Sequence, residues 1–356
     1  MEREGNDLAS LNFSGGTTGA PKAVMLRHRN LMAVAQNTIS DFDISARSIF
    51  LNVRPLWPIA QVIPMAHLFA GGTVVLGGHL DPERLARQIQ ENGATRASLV
   101  PTQLVRVFDY LSPADERLHR VEAIYVGGSR IPLAVFEHAF DLIGPRIGVV
   151  YGMTEAAITC YLPPAALEAD APRRRQLMES VGHELFGYQM RVAPSVGASG
   201  QESGEVLIRG GHVMAGYWED ETATDRALNE GWLHTGDIGR TDERGNLYII
   251  GRMNDVIRSG SSSIIPKEVE DAISTHPAVS DVAVLGIPDI EWGEAVTAFV
   301  VLKPGMAASE SDLVEHCRKQ LAGYKKPRSV RFVASLPRSH YGKVIRAQLL
   351  AEAGFQ

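Results

Sequence analysis

The chain has 356 residues, 45% hydrophobic and 21% charged, a composition typical of a soluble globular protein of about two domains. Its formal net charge of −6 gives no sign of a nucleic-acid or membrane surface, and no apolar run approaches the roughly 20 residues that span a bilayer. The amino terminus shows no signal peptide, and Cys160 and Cys317 belong to no metal or redox spacing, so we expect a cytoplasmic protein.

In the first half of the chain, short β-rich runs alternate with helical patterns. The predicted strands are residues 8–13, 48–53, 72–76, 97–100, 121–126 and 147–151. The predicted helices are residues 30–40, 82–92, 103–111 and 133–140. Asp81 is a plausible N-cap before Pro82, and Gly93 a plausible C′ residue. This alternation predicts βαβ units, a mostly parallel sheet and an α/β fold.

The second half of the chain changes character twice. Residues 163–175 are polar and proline-rich, which indicates a surface insertion, and two β-type segments follow at residues 204–209 and 246–250. From Arg252 onward the pattern becomes a small α+β region. Its predicted elements are helices 266–274 and 310–321 and strands 281–285, 295–302 and 329–333. We therefore predict two domains, residues 1–251 and 252–356.

The loop after the first predicted strand is rich in glycine and hydroxyl residues. It contains Ser14, Gly15, Gly16, Thr17, Thr18, Gly19 and Lys22. Glycines let backbone N–H groups approach an anion closely, and hydroxyls and an ammonium add donors, so polyphosphate is the natural ligand. The loop is not a Walker A motif, because Pro21 precedes Lys22 and no Gly-Lys-[Ser/Thr] ending is present. Taken alone, an ordinary surface loop explains this segment about as well.

Further candidate ligands follow two later strands, where open α/β sheets bind their ligands. One loop holds Gly127, Gly128 and Ser129, and the next holds Tyr151, Gly152, Met153, Thr154 and Glu155. Tyr151 offers a flat face for a base, Thr154 a donor for phosphate, and Glu155 an oxygen ligand for Mg²⁺. Each residue alone is more often a core tyrosine or a solvated glutamate.

Two later segments add charged residues on tight turns. Asp237 ends His-Thr-Gly-Asp, a sequence suited to binding the two hydroxyls of a ribose, and Arg252 follows at the predicted domain change. Lys343 lies on a glycine-containing loop near the end of the chain.

The order and spacing of these motifs resemble the AMP-forming acyl-CoA synthetase family, which includes nonribosomal adenylation domains and beetle luciferases. The match runs from Asp7 to about Leu349 and includes the linking segments 204–210, 215–218 and 266–270. The resemblance implies a two-step reaction that uses ATP, Mg²⁺ and coenzyme A. A carboxylate attacks the α-phosphorus of ATP to give an acyl-adenylate and pyrophosphate, and a thiol then displaces AMP.

The resemblance also implies a role for each motif. Residues 14–22 hold the β- and γ-phosphates, while Thr154 contacts the α-phosphate and Glu155 binds the metal. Gly127, Gly128 and Tyr151 frame adenine, and Asp237 and Arg252 hold the ribose hydroxyls. The nucleotide-binding set also includes Ser129, Gly152 and Met153. Lys343 bridges the carboxylate and the α-phosphate. The carboxy-terminal domain is a mobile lid that rotates about Asn254, withdraws Lys343 and brings the Gly260 loop toward the thiol.

Three departures from the family pattern bear on function. Family members usually carry on the order of 150 further residues before the phosphate loop, so the chain is a fragment, a split subunit or a short form. Gly15 replaces a serine, at a cost of about 1 kcal/mol for one hydrogen bond, and Pro58 stands where a histidine that shapes the acid and thiol tunnel is frequent. A smaller departure is that residues 261–263 are serines, where the family has a segment that begins with glycine.

The acid pocket is the least determined part. The candidates by position are Trp57, Gln61, Ala156 and Thr159, beside Ser129, Gly152 and Met153. No clear charged anchor for an amino acid is visible, which favours a fatty or aromatic carboxylate. Alternatives are a carrier-protein or amine acceptor, or a non-catalytic nucleotide-binding or interaction module. If the shortened amino-terminal side leaves an apolar face open, we expect a homodimer or a partner subunit to cover it.

Overall fold

The computed structural model describes residues 4–14, 21–56, 60–112, 115–194, 203–338, 344–352 and 354. They divide into two compact units. The first contains the chain up to Arg191 with Leu207–Thr235 and Thr241–Tyr248, and the second contains Val192–Val206, Gly236–Arg240 and the chain from Ile249. In the described part of the chain, every helix is too short or too polar to cross a membrane.

A seven-stranded sheet organises the first unit. In chain order, the strands of this part of the structure are β1 Leu8–Phe13, β2 Ala23–Arg27, β3 Ile49–Asn52, β4 Thr73–Leu76, β5 Arg96–Leu99, β6 Ala123–Gly127, β7 Ile147–Met153, β8 Ala156–Leu162 and β9 His183–Glu184. Strands β3 to β9 form the seven-stranded sheet. The sheet order is β4-β3-β5-β6-β7-β8-β9. The first five strands in that order run parallel, whereas β8 and β9 pair antiparallel. The predicted mostly parallel α/β sheet is confirmed.

Six helices accompany this sheet. They are α1 His28–Asp41, α2 Val62–Phe69, α3 Pro82–Asn92, α4 Pro101–Tyr110, α5 Leu133–Ile143 and α6 Ala171–Leu177, with 3₁₀ turns at Glu116–Arg120 and Pro164–Glu168. The predicted cap of α3 is confirmed, because the Asp81 side chain accepts a hydrogen bond from the Arg84 N–H at 2.8 Å and Gly93 has a φ of +63°.

Alternate residues of the parallel strands supply two separate cores, because successive side chains of a strand point to opposite faces. Leu51 and Val126 pack with α3, α4 and α5 on one face. On the other face, Phe50 and Tyr125 pack with α2 and with Phe42, which directly follows α1. The strands are thus buried on both faces, as parallel sheets require.

Short strands and one helix continue the chain. They are β10 Gln189–Pro194, β11 Gly204–Arg209, β12 Gly216–Tyr217, α7 Glu221–Ala227, β13 Leu228–Asn229, β14 Trp232–Thr241 and β15 Leu247–Arg252. β12 joins β1 and β2 in a three-stranded sheet of order β1-β2-β12. The others form a five-stranded sheet of order β10-β11-β14-β13, with β15 paired to β14.

The carboxy-terminal region is the expected α+β arrangement. After a 3₁₀ turn at Met253–Asp255 its elements are β16 Ile257–Ser259, β17 Ser262–Ile264, α8 Pro266–Ser274, β18 Val279–Asp289, β19 Gly293–Leu302, α9 Glu310–Arg318, β20 Ser329–Phe332 and α10 Arg346–Glu352. The sheet order is β17-β16-β19-β18, with β20 parallel to β19. Val269, Val284 and Leu313 belong to its core.

One interpretation of the sequence needs correction. Residues 163–175, expected to be a surface insertion, contain the second 3₁₀ turn and the start of α6. Leu167 in that turn is fully buried in the core around α3, α4 and α5. Pro164 and Pro172 lie in the first turns of these two elements, where proline is well placed, so the prolines mark helix starts.

Candidate active site

The glycine-rich loop closes an antiparallel hairpin. Phe13 of β1 pairs with Ala23 of β2, and the Ser14 N–H donates to the Lys22 carbonyl at 2.8 Å. The Lys22 N–H in turn donates to Ser14 Oγ at 3.2 Å. Residues 15–20, which carry Gly15, Gly16, Thr17, Thr18 and Gly19, lie outside the described residues. The hairpin therefore holds Ser14 and Lys22, the two ends of the loop, next to each other.

Tyr217 links this hairpin to Glu155. Its backbone pairs with Val24 of β2, and the Lys22 ammonium lies 4.8 Å from the centroid of its ring. The Tyr217 hydroxyl donates to Glu155 Oε1 at 2.9 Å. Burial, and then the charge of Glu155, raise the pKa of Tyr217, so the hydroxyl stays protonated and acts as a donor. A lysine and a carboxylate predicted to act on the same polyphosphate are thus joined through one aromatic ring.

Glu155 lies in the turn between β7 and β8. Its carbonyl accepts the Met214 N–H at 2.8 Å. Thr154 and Glu155 are both largely buried, with 9% and 7% of their surfaces exposed. Backbone and side chain of Glu155 are therefore both held by the segment that leads into β12.

Glycines bring the backbone close together beneath this turn. A Cβ on Gly152 would lie 2.5 Å from the Ile158 backbone nitrogen. Ile158 itself has a φ of +44°, a strained conformation for a β-branched residue. Gly128, after β6, has a φ of +95°, which a residue with a side chain rarely adopts.

A cavity in the first unit lies beside these glycines. It measures about 530 Å³, including the part open to solvent. Its lining residues are Arg54, Ala60, Val62, Ile63, Ser98, Tyr125, Gly127, Gly128, Val150, Gly152, Met153, Ala157 and Ile158. Four of them, Gly127, Gly128, Gly152 and Met153, were predicted site residues. The polar members Arg54, Ser98 and Tyr125 were missed.

The residues predicted for the acid pocket are distributed differently. Gln61 precedes α2, and Ala156 is fully buried. Thr159 is also fully buried: its hydroxyl lies 3.2 Å from the Ala156 carbonyl and 3.1 Å from Nε2 of His212. The cavity is lined instead by their neighbours Ala60, Val62, Ala157 and Ile158. Trp57 lies outside the described residues.

In the second unit, the two predicted ribose ligands lie side by side. Asp237 Oδ1 is 2.8 Å from Arg252 Nε, and the Asp237 side chain is 7% exposed against 50% for Arg252. The preceding residue, Gly236, has a φ of +69°, and its N–H donates to Glu205 Oε1 at 3.0 Å. Both Gly236 and Asp237 lie within strand β14, not behind the predicted tight turn, and the guanidinium is bound to the carboxylate there.

Two further predicted residues of the second unit, Asn254 and Gly260, occupy turns. Asn254 is exposed in the 3₁₀ turn between β15 and β16. Gly260, with a φ of +61°, lies between β16 and β17, and its N–H donates to the Trp292 carbonyl at 2.7 Å. Lys343 lies outside the described residues. The residues that flank its segment, Arg338 and Val344, pair with each other through an antiparallel bridge.

Two family models match the chain. The model for AMP-binding enzymes matches residues 1–218, and that for the carboxy-terminal domain of AMP-binding enzymes matches residues 268–343. The chain belongs to the AMP-binding enzyme family. The resemblance inferred from the motifs is therefore confirmed.

Individual relatives include a CoA synthase and an amide bond synthetase. A feruloyl-CoA synthase of Amycolatopsis sp is 32% identical over 98% of this chain and 70% of its own length. The ATP-bound structure of MatB from Rhodopseudomonas palustris superposes with a TM-score of 0.89 at 29% identity, covering 99% of this chain and 69% of MatB. The amide bond synthetase McbA of Marinactinospora thermotolerans superposes with a TM-score of 0.85 at 29% identity, covering 96% of this chain and 69% of McbA.

The chain is shorter than its relatives. It spans 70% of the feruloyl-CoA synthase but only 62% of a long-chain-fatty-acid–CoA ligase of Bacillus subtilis. CoA ligases of the AMP-binding family use ATP, Mg²⁺ and coenzyme A.

The donor set at Glu155 fits the Mg²⁺ that this family uses. Mg²⁺ is usually held by one or two carboxylates together with substrate phosphates and water. Within the described ranges no group of three or more His, Cys, Asp or Glu side chains could form a protein-only metal cage. A single buried carboxylate, fixed through one of its oxygens by Tyr217, therefore suits a metal that arrives with ATP.

Proposed function

We propose that the chain is an AMP-forming acid–CoA ligase, which activates a carboxylic acid with ATP and transfers the acyl group to coenzyme A. The observation that carries the proposal is the connection Lys22–Tyr217–Glu155 at the closed end of the glycine-rich hairpin. A cation and a carboxylate joined in this way support a site for a polyphosphate and its metal. The cavity bordered by Gly127, Gly128 and Gly152 then accommodates the acid.

In the first half-reaction, the acid carboxylate attacks the α-phosphorus, and the bond to the β-phosphate breaks to release pyrophosphate. Ser14, Lys22 and the loop between them bind the β- and γ-phosphates, and Thr154 donates to the α-phosphate. Glu155 holds Mg²⁺, which neutralises phosphate charge when bound. Lys343 neutralises charge between the carboxylate and the α-phosphate.

The nucleoside contacts follow the motifs. Gly127, Gly128 and Tyr151 frame adenine, and Asp237 and Arg252 bind the ribose hydroxyls. The carboxylate accepts hydrogen bonds from the two hydroxyls, and the arginine orients it.

The second half-reaction needs a change of lid position. We propose that the domain of residues 252–356 turns about Asn254, removes Lys343 from the adenylate and presents the Gly260 loop to the thiol. The exposure of Asn254 in a short turn between two strands supports a hinge there. The thiol sulfur then attacks the acyl carbon, and AMP leaves.

The acid has an apolar body, fatty or aromatic. Ala60, Val62, Ile63, Ala157 and Ile158 present aliphatic side chains to the cavity, which supports this choice. The alternative acceptor is an amine, favoured by the similarity to the amide bond synthetase. Replacing coenzyme A by amines in a product assay separates the two acceptors.

Association with a second copy or a partner subunit stays a prediction. Leu68, Phe69 and Leu76, on α2 and the edge strand β4, are 59%, 55% and 68% exposed. We propose that a second copy or a partner subunit covers this apolar surface. Light scattering at working concentration tests it, and a strictly monomeric chain contradicts it.

The experiment for the proposed function is a product assay. The purified chain is incubated with ATP, Mg²⁺, coenzyme A and a panel of fatty and aromatic acids, and acyl-CoA and AMP are measured in the same samples. We expect equal amounts of both products, and near-complete loss of both in Glu155→Gln. The exposed Glu243→Gln is the matched control, and its activity should equal that of the wild type. Absence of acyl-CoA with every acid contradicts the proposal.

A further inference from the structure

We infer that Asn30 is a positioning residue for the proposed metal site, because its side chain fixes the segment of residues 211–217 against the glycine-rich hairpin. This inference rests on the proposed function, since it concerns how Glu155 and Lys22 are held for the same polyphosphate. Asn30 lies in the first turn of α1, shortly after β2. Only 3% of the residue is exposed, so its amide group acts inside the first unit.

The Asn30 side chain makes three hydrogen bonds, each 2.8 Å long. Its Nδ2 donates to the carbonyls of Gly211 and Val213, and its Oδ1 accepts the Arg27 N–H. A side-chain amide has two N–H donors, so both of them are used by the segment 211–217. The oxygen instead serves the start of α1, where Arg27 is the N-cap residue. One side chain thus joins the end of strand β2 to a carbonyl that lies 181 residues further along the chain.

The two carbonyls lie next to the backbone contacts that hold Glu155. Val213 forms an antiparallel bridge with Ala156, the residue after Glu155. The Met214 N–H donates to the Glu155 carbonyl at 2.8 Å. The position of the segment therefore sets the position of the turn that carries the proposed metal ligand.

The segment then continues to the hairpin. The Ala215 N–H donates to the Met25 carbonyl of β2 at 2.9 Å. Two residues later, the hydroxyl of Tyr217 donates to Glu155, and its ring faces the Lys22 ammonium. The carbonyls bound by the buried amide thus lie only a few residues before the ring that joins the cation to the carboxylate.

A second side chain holds the segment from the other direction. His212, between the two bound carbonyls, is fully buried, and its Nε2 lies 3.1 Å from the Thr159 hydroxyl on β8. The Tyr188 ring stacks on this imidazole at a centroid distance of 3.5 Å. These contacts keep the segment packed on β8 when Asn30 is replaced. Loss of the amide should therefore shift the segment relative to the hairpin without releasing it.

The test measures how the Mg²⁺ dependence of nucleotide binding and exchange responds to Asn30. Pyrophosphate exchange is followed over a range of Mg²⁺ concentrations, and ATP binding is measured by isothermal titration calorimetry at low and at high Mg²⁺. In Asn30→Ala we expect the Mg²⁺ concentration at half-maximal exchange to rise about 10-fold, the usual contribution of a residue that orients a metal ligand, with a smaller change in the maximal rate. ATP affinity should fall at low Mg²⁺ and recover at high Mg²⁺.

Asn30→Asp separates this role from that of a helix cap. An aspartate keeps an oxygen for the Arg27 N–H and suits the first turn of a helix, but it lacks the amide donors for the carbonyls of Gly211 and Val213. We expect a shift of the Mg²⁺ curve like that of Asn30→Ala. A residue needed only as a cap would leave the aspartate variant equal to the wild type.

Asn246→Ala is the matched control. Asn246 is also 3% exposed, and its Nδ2 donates to both carboxylate oxygens of Asp242 at 3.0 Å, in the turn between β14 and β15. Its replacement should lower the unfolding temperature and leave the Mg²⁺ curve unchanged. The double variant Asn30→Ala/Tyr217→Phe tests whether the two residues act on one contact: its shift should be clearly smaller than the product of the single shifts.

The outcomes separate this inference from the proposed function. Acid-dependent exchange with an unshifted Mg²⁺ curve in either Asn30 variant overturns the inference and leaves the ligase proposal standing. A double variant whose shift equals the product also overturns it. If no acid supports exchange, the ligase proposal fails, and ATP binding at the two Mg²⁺ concentrations decides the role of Asn30. If Asn30→Ala does not fold, Asn30→Asp decides, and failure of both to fold overturns the inference.

Discussion

Tyr217→Phe is the variant that most directly examines how the proposed metal ligand is held. It removes the hydroxyl that donates to Glu155 Oε1 at 2.9 Å and keeps the ring that faces the Lys22 ammonium. Tyr217 is a positioning residue in this account: it orients the carboxylate and does not touch the reacting atoms. The expected defect is therefore in the Mg²⁺ dependence of pyrophosphate exchange.

The magnitude follows from the type of bond. A hydrogen bond to a charged acceptor contributes about 1.5–3 kcal/mol, which sets an upper limit of about 10- to 150-fold. Residues that orient a metal ligand typically contribute about 10- to 100-fold to metal affinity. We therefore expect the Mg²⁺ concentration at half-maximal exchange to rise about 10-fold in Tyr217→Phe, with little change in the maximal rate at saturating Mg²⁺.

Two further variants isolate the cause. Tyr217→Leu also removes the ring, so the Lys22 contact is lost and the KM for ATP should rise in addition. Tyr248→Phe removes a tyrosine–carboxylate bond elsewhere, from its hydroxyl to Asp242 Oδ2 at 3.2 Å, and should leave the Mg²⁺ curve unchanged. Superimposable Mg²⁺ curves for wild type and Tyr217→Phe would refute the positioning role.

Three other outcomes are expected. Asp237→Ala removes the partner of Arg252 and the proposed ribose ligand, so the KM for ATP should rise about 10-fold or more in steady-state exchange. Gly152→Ala forces a Cβ toward the Ile158 nitrogen and should lower the free energy of unfolding by about 1–3 kcal/mol in urea titrations. Burial lowers the pKa of His212 from 6.5 to about 3. Below about pH 6.5 only the unfolded chain takes up that proton, so stability should fall by roughly 1 kcal/mol from pH 7.5 to 5.5, and His212→Phe should flatten this slope.

Elements with strong local signals could be predicted from the sequence. Helix α3 has the predicted bounds because the Asp81 cap, Pro82 and the left-handed Gly93 all act locally. The second helix of the carboxy-terminal region begins at the predicted residue 310, directly after Ser309, whose Oγ accepts the Asp312 N–H. By contrast, α2 is almost continuously apolar, so its sequence has no helical periodicity to detect.

The functional contacts that were missed join distant segments. Tyr217 and Glu155 are 62 residues apart, and Asn30 and Val213 are 183 apart. Which side chains meet at such distances depends on sheet register and strand order, which motif spacing does not contain. Tyr217 belongs to the linking segment 215–218, and nothing in its local sequence points to Glu155. Tyr125 lies within a predicted strand, where a core position is the usual interpretation.

The central claim is that this chain joins an acid to AMP, and pyrophosphate exchange measures that step before any acceptor takes part. Radiolabelled pyrophosphate is incubated with ATP, Mg²⁺, the acid panel and either wild-type chain or Lys343→Ala, with ATP binding measured in parallel. The account predicts acid-dependent exchange by the wild type, and none by Lys343→Ala although it still binds ATP. Full exchange by Lys343→Ala, or ATP binding without exchange for every acid by the wild type, would contradict it.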